Sequence, residues 1–338
     1  MAELNRRNLL MSATALGVAS LAACADAPAP VETPSNRFTT ASAPPSTEPT
    51  STDTGPTASG DLYGVGVYNT QQVADELRYI EENIPPLAGE AKRILITGST
   101  GGIGQLAAAY FLRQGHTVVA HARSEQRAAD VRRDLPGLED VVIGDLLDLD
   151  QTRVLAEQIN ARGVFDIIIH NSGEYGLPQD QILNANSLSP YLLTALVTIP
   201  REQLMYLTSD LHLGGSLKLD EVRQGGGITY GDSKLHMAMI ATATARRLPE
   251  LKVNVIAPGW IPTLMGFHDG NATTPDSLRE GYMTQIWLAD GTEPGSDVTG
   301  EFLFHQQVET RVNDLVHDAD AQDQLMAAYA ENTGVALS

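Results

Sequence analysis

Short, almost unbroken apolar runs recur along the chain at 93–96, 116–120, 141–143, 166–169, 204–207 and 253–256, with a last one at 301–304. Segments with helical apolar spacing lie between most of them. Continuous apolar runs of this kind mark strands buried on both faces, as parallel strands are. Strands alternating with helices predict an α/β fold: a doubly wound parallel sheet with helices on both faces, in one domain over 91–338.

Ahead of this alternation the pattern changes twice. Residues 61–90 hold one helical pattern, with Thr70 in the N-cap position and Val73, Leu77, Ile80 and Ile84 on one face. Pro85 and Pro86 stop it. The pattern predicts a helical N-terminal extension packed on the domain that follows. Residues 25–60 are rich in Pro, Thr, Ser and Ala and have no apolar period, which predicts a disordered linker.

Residues 1–24 read as a signal peptide. Arg6-Arg7 precede an apolar stretch, 9–22, too short to span a bilayer comfortably, and Leu21-Ala22-Ala23-Cys24 follows. The paired arginines resemble the twin-arginine export class, and Leu-Ala-Ala-Cys resembles a bacterial lipobox. The resemblance implies cleavage before Cys24 and acylation of that cysteine. The expected location is therefore a membrane-anchored lipoprotein facing the periplasm or cell exterior, or the cytoplasm where the signal is not used. Cys24 is the only cysteine, so no intrachain disulfide forms.

Charge narrows the partners. With 22 basic and 42 acidic residues the formal net charge is −20, which speaks against a broad nucleic-acid surface. The membrane contact expected is the lipidated Cys24, and a homo-oligomer is left open. No metal-ligand pattern is assigned.

The candidate chemistry begins after the first apolar run. Arg93-Ile94-Leu95-Ile96 leads into Thr97-Gly98-Ser99-Thr100-Gly101-Gly102-Ile103-Gly104, and a helical pattern follows. Strand, glycine turn and helix N-terminus together make a Rossmann-type anion site suited to a dinucleotide pyrophosphate. Gly98 allows the sharp turn, Gly102 the close approach of the phosphates, and Gly104 the tight helix–strand packing. Past the second run stands Arg123, where an acidic residue would bind ribose hydroxyls and an arginine accommodates a 2′-phosphate. Arg123 therefore predicts NADP(H) in preference to NAD(H). Asp145, past the third run, either accepts from the adenine amino group or caps the next helix. His170-Asn171-Ser172-Gly173 ends the fourth run. Its small residues let backbone lie near the cofactor, and His170 reads as structural.

Tyr230 and Lys234 are four apart and so share a helix face. A free phenol titrates near 10, and a nearby ammonium favours the phenolate. The pair predicts a tyrosine acid/base whose acidity Lys234 raises. Ser209 stands at the end of the fifth run and is expected to hydrogen-bond the substrate oxygen, with Thr208 and Ser216 as competitors. Residues 210–228 read as an insertion beside the site, with Gly225-Gly226-Gly227 as its mobile end. Residues 263–277 read as a lid, with Met265, Phe267 and His268 lining an apolar pocket or packing as ordinary loop residues.

These motifs in this order resemble the short-chain dehydrogenase/reductase family over about 92–304. Thr97-Gly98-x-x-x-Gly102-x-Gly104 has the spacing of its classical branch. His170-Asn171-Ser172-Gly173 resembles its Asn-Asn-Ala-Gly motif, with departures at the first and third positions. Asn186, Tyr230-x-x-x-Lys234 and Pro258-Gly259-Trp260-Ile261-Pro262-Thr263 match further motifs. The Ser209-Asp-Leu-His run, the Pro-Gly-Trp-Ile-Pro-Thr run and the Thr-Gln-Ile-Trp-Leu-Ala helix resemble a subgroup of carbonyl reductases related to daunorubicin ketoreductase and retinol dehydrogenase. The resemblance implies a catalytic set of Asn186, Ser209, Tyr230 and Lys234. Within it Asn186 holds a water linking Lys234 to solvent, and Lys234 reaches the nicotinamide ribose. The cofactor-binding set it implies is Gly98, Ser99, Thr100, Gly102, Ile103, Gly104, Arg123, Asp145, Leu146, Asn171, Ser172, Gly173, Tyr230, Lys234, Pro258, Gly259, Ile261 and Thr263, the last at the nicotinamide carboxamide.

The activity so implied is reversible hydride transfer between NADP(H) and a small carbonyl or alcohol substrate. A nucleotide-binding module without turnover, tethered as a sensor or scaffold, is the alternative, and the full residue set argues against it. A sugar-nucleotide epimerase is disfavoured by the glycine spacing and the lack of a long C-terminal substrate domain.

Overall fold

A computed structural model describes residues 58, 60–87, 89–268 and 273–337. The expected signal peptide, Cys24 and nearly all of the expected linker lie outside the described residues, as do positions 269–272 of the expected lid.

The apolar runs form β1 (Arg93–Ile96), β2 (Thr117–Ala122), β3 (Asp140–Ile143), β4 (Ile167–His170), β5 (Gln203–Leu207), β6 (Lys252–Ala257) and β7 (Phe302–Phe304). They pair in parallel in the order β3-β2-β1-β4-β5-β6-β7. The central strands β4 and β5 are buried throughout, which is why they read as unbroken apolar sequence. An eighth strand, β8 (Gln307–Val308), closes the edge antiparallel to β7. It went unread because it is two residues long and its turn uses His305 and Gln306 in the left-handed region, φ 45° and 64°, in place of the usual Gly or Asn.

Before the sheet come a short 3₁₀ turn, Leu62–Gly64, and α1 (Gln71–Asn83). Thr70 caps α1 by accepting from Val73 N–H, and Val73, Leu77 and Ile80 are buried. The crossovers are α2 (Gly102–Gln114), α3 (Glu125–Asp134) and α4 (Leu149–Ala161), then α5 (Gln179–Leu183), which runs through one π turn, Asn184–Leu188, into α6 (Ser189–Leu196). α7 (Leu219–Gln224), α8 (Tyr230–Arg247), α9 (Leu278–Asp290) and α10 (Ala319–Thr333) complete the set.

The helices cover both faces of the sheet. One core is filled from α4, α6, α8 and α10, the other from α1, α2, α3 and α9. The strand order reverses between β1 and β4, so a crevice opens outside their carboxyl ends, the usual ligand position in such sheets. Among the described residues no helix is long and apolar enough to cross a membrane.

The insertion after β5 is more ordered than its glycines suggest. It forms a 3₁₀ turn, Asp210–Gly214, and then α7. Gly225, with φ 82°, is the left-handed stop of α7, and Gly226 N–H bonds Glu221 O at 3.0 Å. The triplet expected to be a mobile end is thus a helix terminator.

Candidate active site

Four segments meet at the carboxyl edge: the turn after β1, the loop after β4, Thr208–Ser209 after β5, and 258–263 after β6. The first is held from below. Ser99 turns its hydroxyl inward to Ile96 O (2.9 Å) and accepts from His121 N–H (3.0 Å), while His121 Nδ1 takes the Gly98 N–H (3.0 Å). Asn171 Nδ2 donates to Thr97 O and Gly98 O at 2.9 and 3.2 Å, and Ser172 N–H bonds Thr97 Oγ1 at 3.1 Å. Asn171 and Ser99 therefore shape the turn with their side chains.

The glycines are required by close approach. Gly98 has φ 63°, and a Cβ there would lie 2.8 Å from Ser172 Cα; one on Gly104 would lie 2.3 Å from Asn171 Nδ2. Gly102, φ 55°, opens α2 and faces Thr263 Cγ2 across the crevice, 3.6 Å from where a Cβ would stand. Asn69 Oδ1 takes the Gly102 N–H at 2.8 Å, and the other first-turn N–H groups at this helix start fit an anionic pyrophosphate. Ile103 and Ile261 pack near Gly281 of α9, and Leu146 is core. Pro258 and Gly259 follow β6, and Gly259 takes φ 85° to turn the chain. Thr263 Oγ1 accepts from Gly266 N–H at 3.2 Å.

On the adenosine side β2 runs to Ala122, two residues beyond the expected end, so Arg123 follows it directly. Its side chain is 63% exposed, with Nη1 3.9 Å from Glu174 Oε1. Burial pushes the Glu174 carboxyl upward, and Arg123 partly offsets this. Asp145 does not cap α4: Asp148 does, accepting from Asp150 and Gln151 N–H. Asp145 Oδ1 instead takes the N–H of Leu147 at 3.0 Å.

At the other end Tyr230 and Lys234 lie one turn apart on one face of α8, whose start is fixed by a capping box between Thr229 and Asp232. Lys234 is buried, and its Nζ lies 5.4 Å from the centroid of the Tyr230 ring. Nζ donates to Leu207 O at 3.3 Å and would lie 2.9 Å from a Cβ on Gly173, so Gly173 makes room for it. Burial pulls Lys234 down to about 8. The Ser209 side chain favours ionisation of the Tyr230 phenol, while its own Oγ accepts from Leu211 N–H at 3.3 Å. Of the three hydroxyls weighed in sequence, Ser209 is the one that acts on the phenol; Thr208 is buried with its Oγ1 on Lys234 O (2.6 Å), and Ser216 uses its N–H on Asp232.

Here the electrostatics differ from expectation. The Tyr230 phenol is held above its ordinary range, chiefly by burial, with Ser209 pulling it down and Tyr175 adding to the rise. Lys234, itself pulled toward its neutral form by burial, is not among the groups that lower it. The phenol is therefore a protonated donor in the cofactor-free protein.

Asn186 sits in the π turn, fully buried. Its Oδ1 accepts from Glu174 N–H (2.7 Å), and its Nδ2 donates to Glu174 O (2.8 Å) and Ser233 Oγ (3.1 Å). Its amide thus clamps the loop after β4. His170 is core: burial pushes it down to about 3, and its ring lies tilted against Tyr206 with centroids 4.7 Å apart. Tyr175 was missed in sequence because the motif ends at Gly173. Its ring stands edge-on to Tyr230 (4.9 Å) and to His268 (5.3 Å), so these three aromatics make one wall. Met265 is 43% exposed beside His268 in sequence. Among the described residues no cluster of His, Cys, Asp and Glu could hold a metal ion.

The short chain dehydrogenase family model matches residues 92–197. An uncharacterised oxidoreductase of Emericella nidulans is 43% identical over 185 residues, covering 52% of this chain and 72% of that protein. A short-chain dehydrogenase of Gibberella zeae, chry4, is 32% identical over 262 residues, covering 72% of this chain and 98% of its own. A crystal structure of an uncharacterised Mycobacterium paratuberculosis protein shares the fold with a TM-score of 0.60, at 21% identity, over 76% of this chain and 97% of the other. With the glycine turn, Tyr230, Ser209 and the buried Lys234 at one crevice, the chain belongs to the short-chain dehydrogenase/reductase family of NAD(P)-dependent oxidoreductases.

Proposed function

We propose that the protein is a carbonyl reductase, reversible as an alcohol dehydrogenase, that takes NADP(H) in preference to NAD(H). The observation that carries this reading is Tyr230 at the crevice with the buried Lys234 ammonium 5.4 Å from its ring centroid. The bound cofactor supplies or accepts the hydride. Ser209 donates to the substrate oxygen and stabilises the charge that gathers there. Tyr230 gives its proton to that oxygen as the alkoxide forms, and takes it back in the oxidative direction. The phenolate left behind stands near the Lys234 ammonium, 5.4 Å from the ring centroid.

Arg123, exposed and loosely paired, is the residue for a ribose 2′-phosphate. Lys234 would hold the nicotinamide ribose, and the N-terminus of α2 the pyrophosphate. The aromatic wall of Tyr175 and His268 fits a substrate with an apolar body. The Arg6-Arg7 and Leu-Ala-Ala-Cys24 signals support export and lipid anchoring through Cys24. Export in the folded state would let the protein leave the cytoplasm with its cofactor bound.

The first test is turnover of NADPH and of NADH against a panel of aldehydes, ketones and quinones. Tyr230→Phe is expected to lower kcat by about 10²–10⁴-fold while NADPH still binds. Undiminished turnover in this variant, or none in the wild type with any carbonyl, contradicts the proposal.

Lys234→Met tests the buried charge. Its folded pKa, about 8, is below the ordinary 10.5, so the cost of burying the ammonium is full below about 8 and fades as pH rises to 10.5. At neutral pH the cofactor-free variant should be inactive yet more stable in urea, by on the order of 3 kcal/mol at most, with the gap closing as pH rises through that window. A less stable variant at neutral pH would show that the charge is not a burden. For the anchor, incorporation of labelled fatty acid should be lost in Cys24→Ser, and labelling that survives the substitution rules the anchor out.

A further inference from the structure

The N-terminal extension lies against the glycine turn. Asn69 is 1% exposed, and its amide is fully engaged. Oδ1 accepts the Gly102 N–H at 2.8 Å; Nδ2 donates to Tyr63 O at 2.8 Å and to Gln105 Oε1 at 2.7 Å. Gly102 is the first residue of α2, and a first-turn N–H has no acceptor in its own helix. Asn69 supplies that acceptor from outside the sheet.

The geometry says which side it acts from. A Cβ on Gly101 would meet Tyr68 O at 2.9 Å, whereas one on Gly102 would face Thr263. The extension thus backs the turn on the Gly101 side, and Thr263 stands opposite Gly102. The next residue, Thr70, donates to Pro262 O at 2.8 Å while capping α1. Two adjacent residues therefore tie together both walls of the crevice, the glycine turn and the segment after β6.

Tyr68 anchors this strap. Its hydroxyl donates to Asp134 Oδ2 at 2.6 Å, and its ring lies under the Arg127 guanidinium, 3.5 Å from the ring centroid. Arg127 in turn donates to Thr100 O, inside the turn. Gln105 Nε2 also reaches Asp134, at 3.1 Å, so extension, α2 and α3 share one polar network. The family match opens only at residue 92, after the strap.

We infer that Asn69 is a positioning residue for dinucleotide binding: with Thr70 it sets the glycine turn against the facing wall, which makes the extension a working part of the cofactor crevice. The inference rests on the reading of that crevice as a dinucleotide site. A turn already held in its bound shape loses less conformational freedom when the ligand arrives. Asn69→Ala leaves the Gly102 N–H without its acceptor and frees the turn from the strap.

The test is fluorescence titration of the full chain with NADPH, together with steady-state kinetics. Asn69→Ala should raise the NADPH Kd roughly tenfold, equivalent to about 1.4 kcal/mol or one hydrogen bond, while kcat at saturating NADPH stays near wild type. Gln71→Ala, an exposed change in the same extension, should bind as wild type does. Should Asn69→Ala fail to fold, hydrogen–deuterium exchange on the wild type reads the same coupling. Reciprocity requires NADPH to slow amide exchange in 63–74. An unchanged Kd in a folded Asn69→Ala, or unchanged exchange in 63–74, overturns the inference alone. A wild-type chain that binds no dinucleotide overturns the functional reading beneath it as well.

Discussion

Lys234 carries an ammonium into the interior with a backbone carbonyl, and no carboxylate, as its partner. A buried charge without a counter-ion is unfavourable, and the pull of Lys234 toward its neutral form expresses that. Tyr230 is under the same pressure with the opposite sign, since burial keeps its phenol protonated. In the reaction proposed above, proton transfer out of Tyr230 would create an anion beside Lys234. Burial thus holds both groups toward their neutral forms in the cofactor-free protein.

The fold makes that state affordable by rigidity. β4, β5 and β6 are buried parallel strands, and their ends deliver Gly173, Ser209 and Gly259 to one edge. The π turn in the helix after β4 places Asn186 against Glu174, which fixes the loop that makes room for the Lys234 ammonium. The capping box at Thr229 and Asp232 fixes where α8 begins, and therefore where the phenol stands. The extension does the same for the opposite end of the crevice, from a part of the chain that precedes the sheet.

Much of this was legible in the sequence. The seven parallel strands were visible because burial on both faces leaves apolar runs with no alternation to confuse with helix. Tyr230 and Lys234 were visible through helical spacing, and Ser209 through its place at a strand end. The direction of the Tyr230 shift was not, because it depends on how deeply the ring is buried and on where the ammonium stands relative to it; spacing alone gives neither. Tyr175 fell just past a recognised motif. The grip of Asn69 on Gly102 joins two distant parts of the chain through one hydrogen bond, and such a contact leaves no periodic trace.

Ultraviolet difference titration of the cofactor-free protein, wild type against Tyr230→Phe, follows the ionisation of this one phenol. With Tyr230 held above its ordinary value of 10.0, the two proteins should give the same phenolate signal up to that pH. A phenolate belonging to Tyr230 that forms near neutral pH without cofactor would contradict a site in which burial outweighs the neighbouring ammonium.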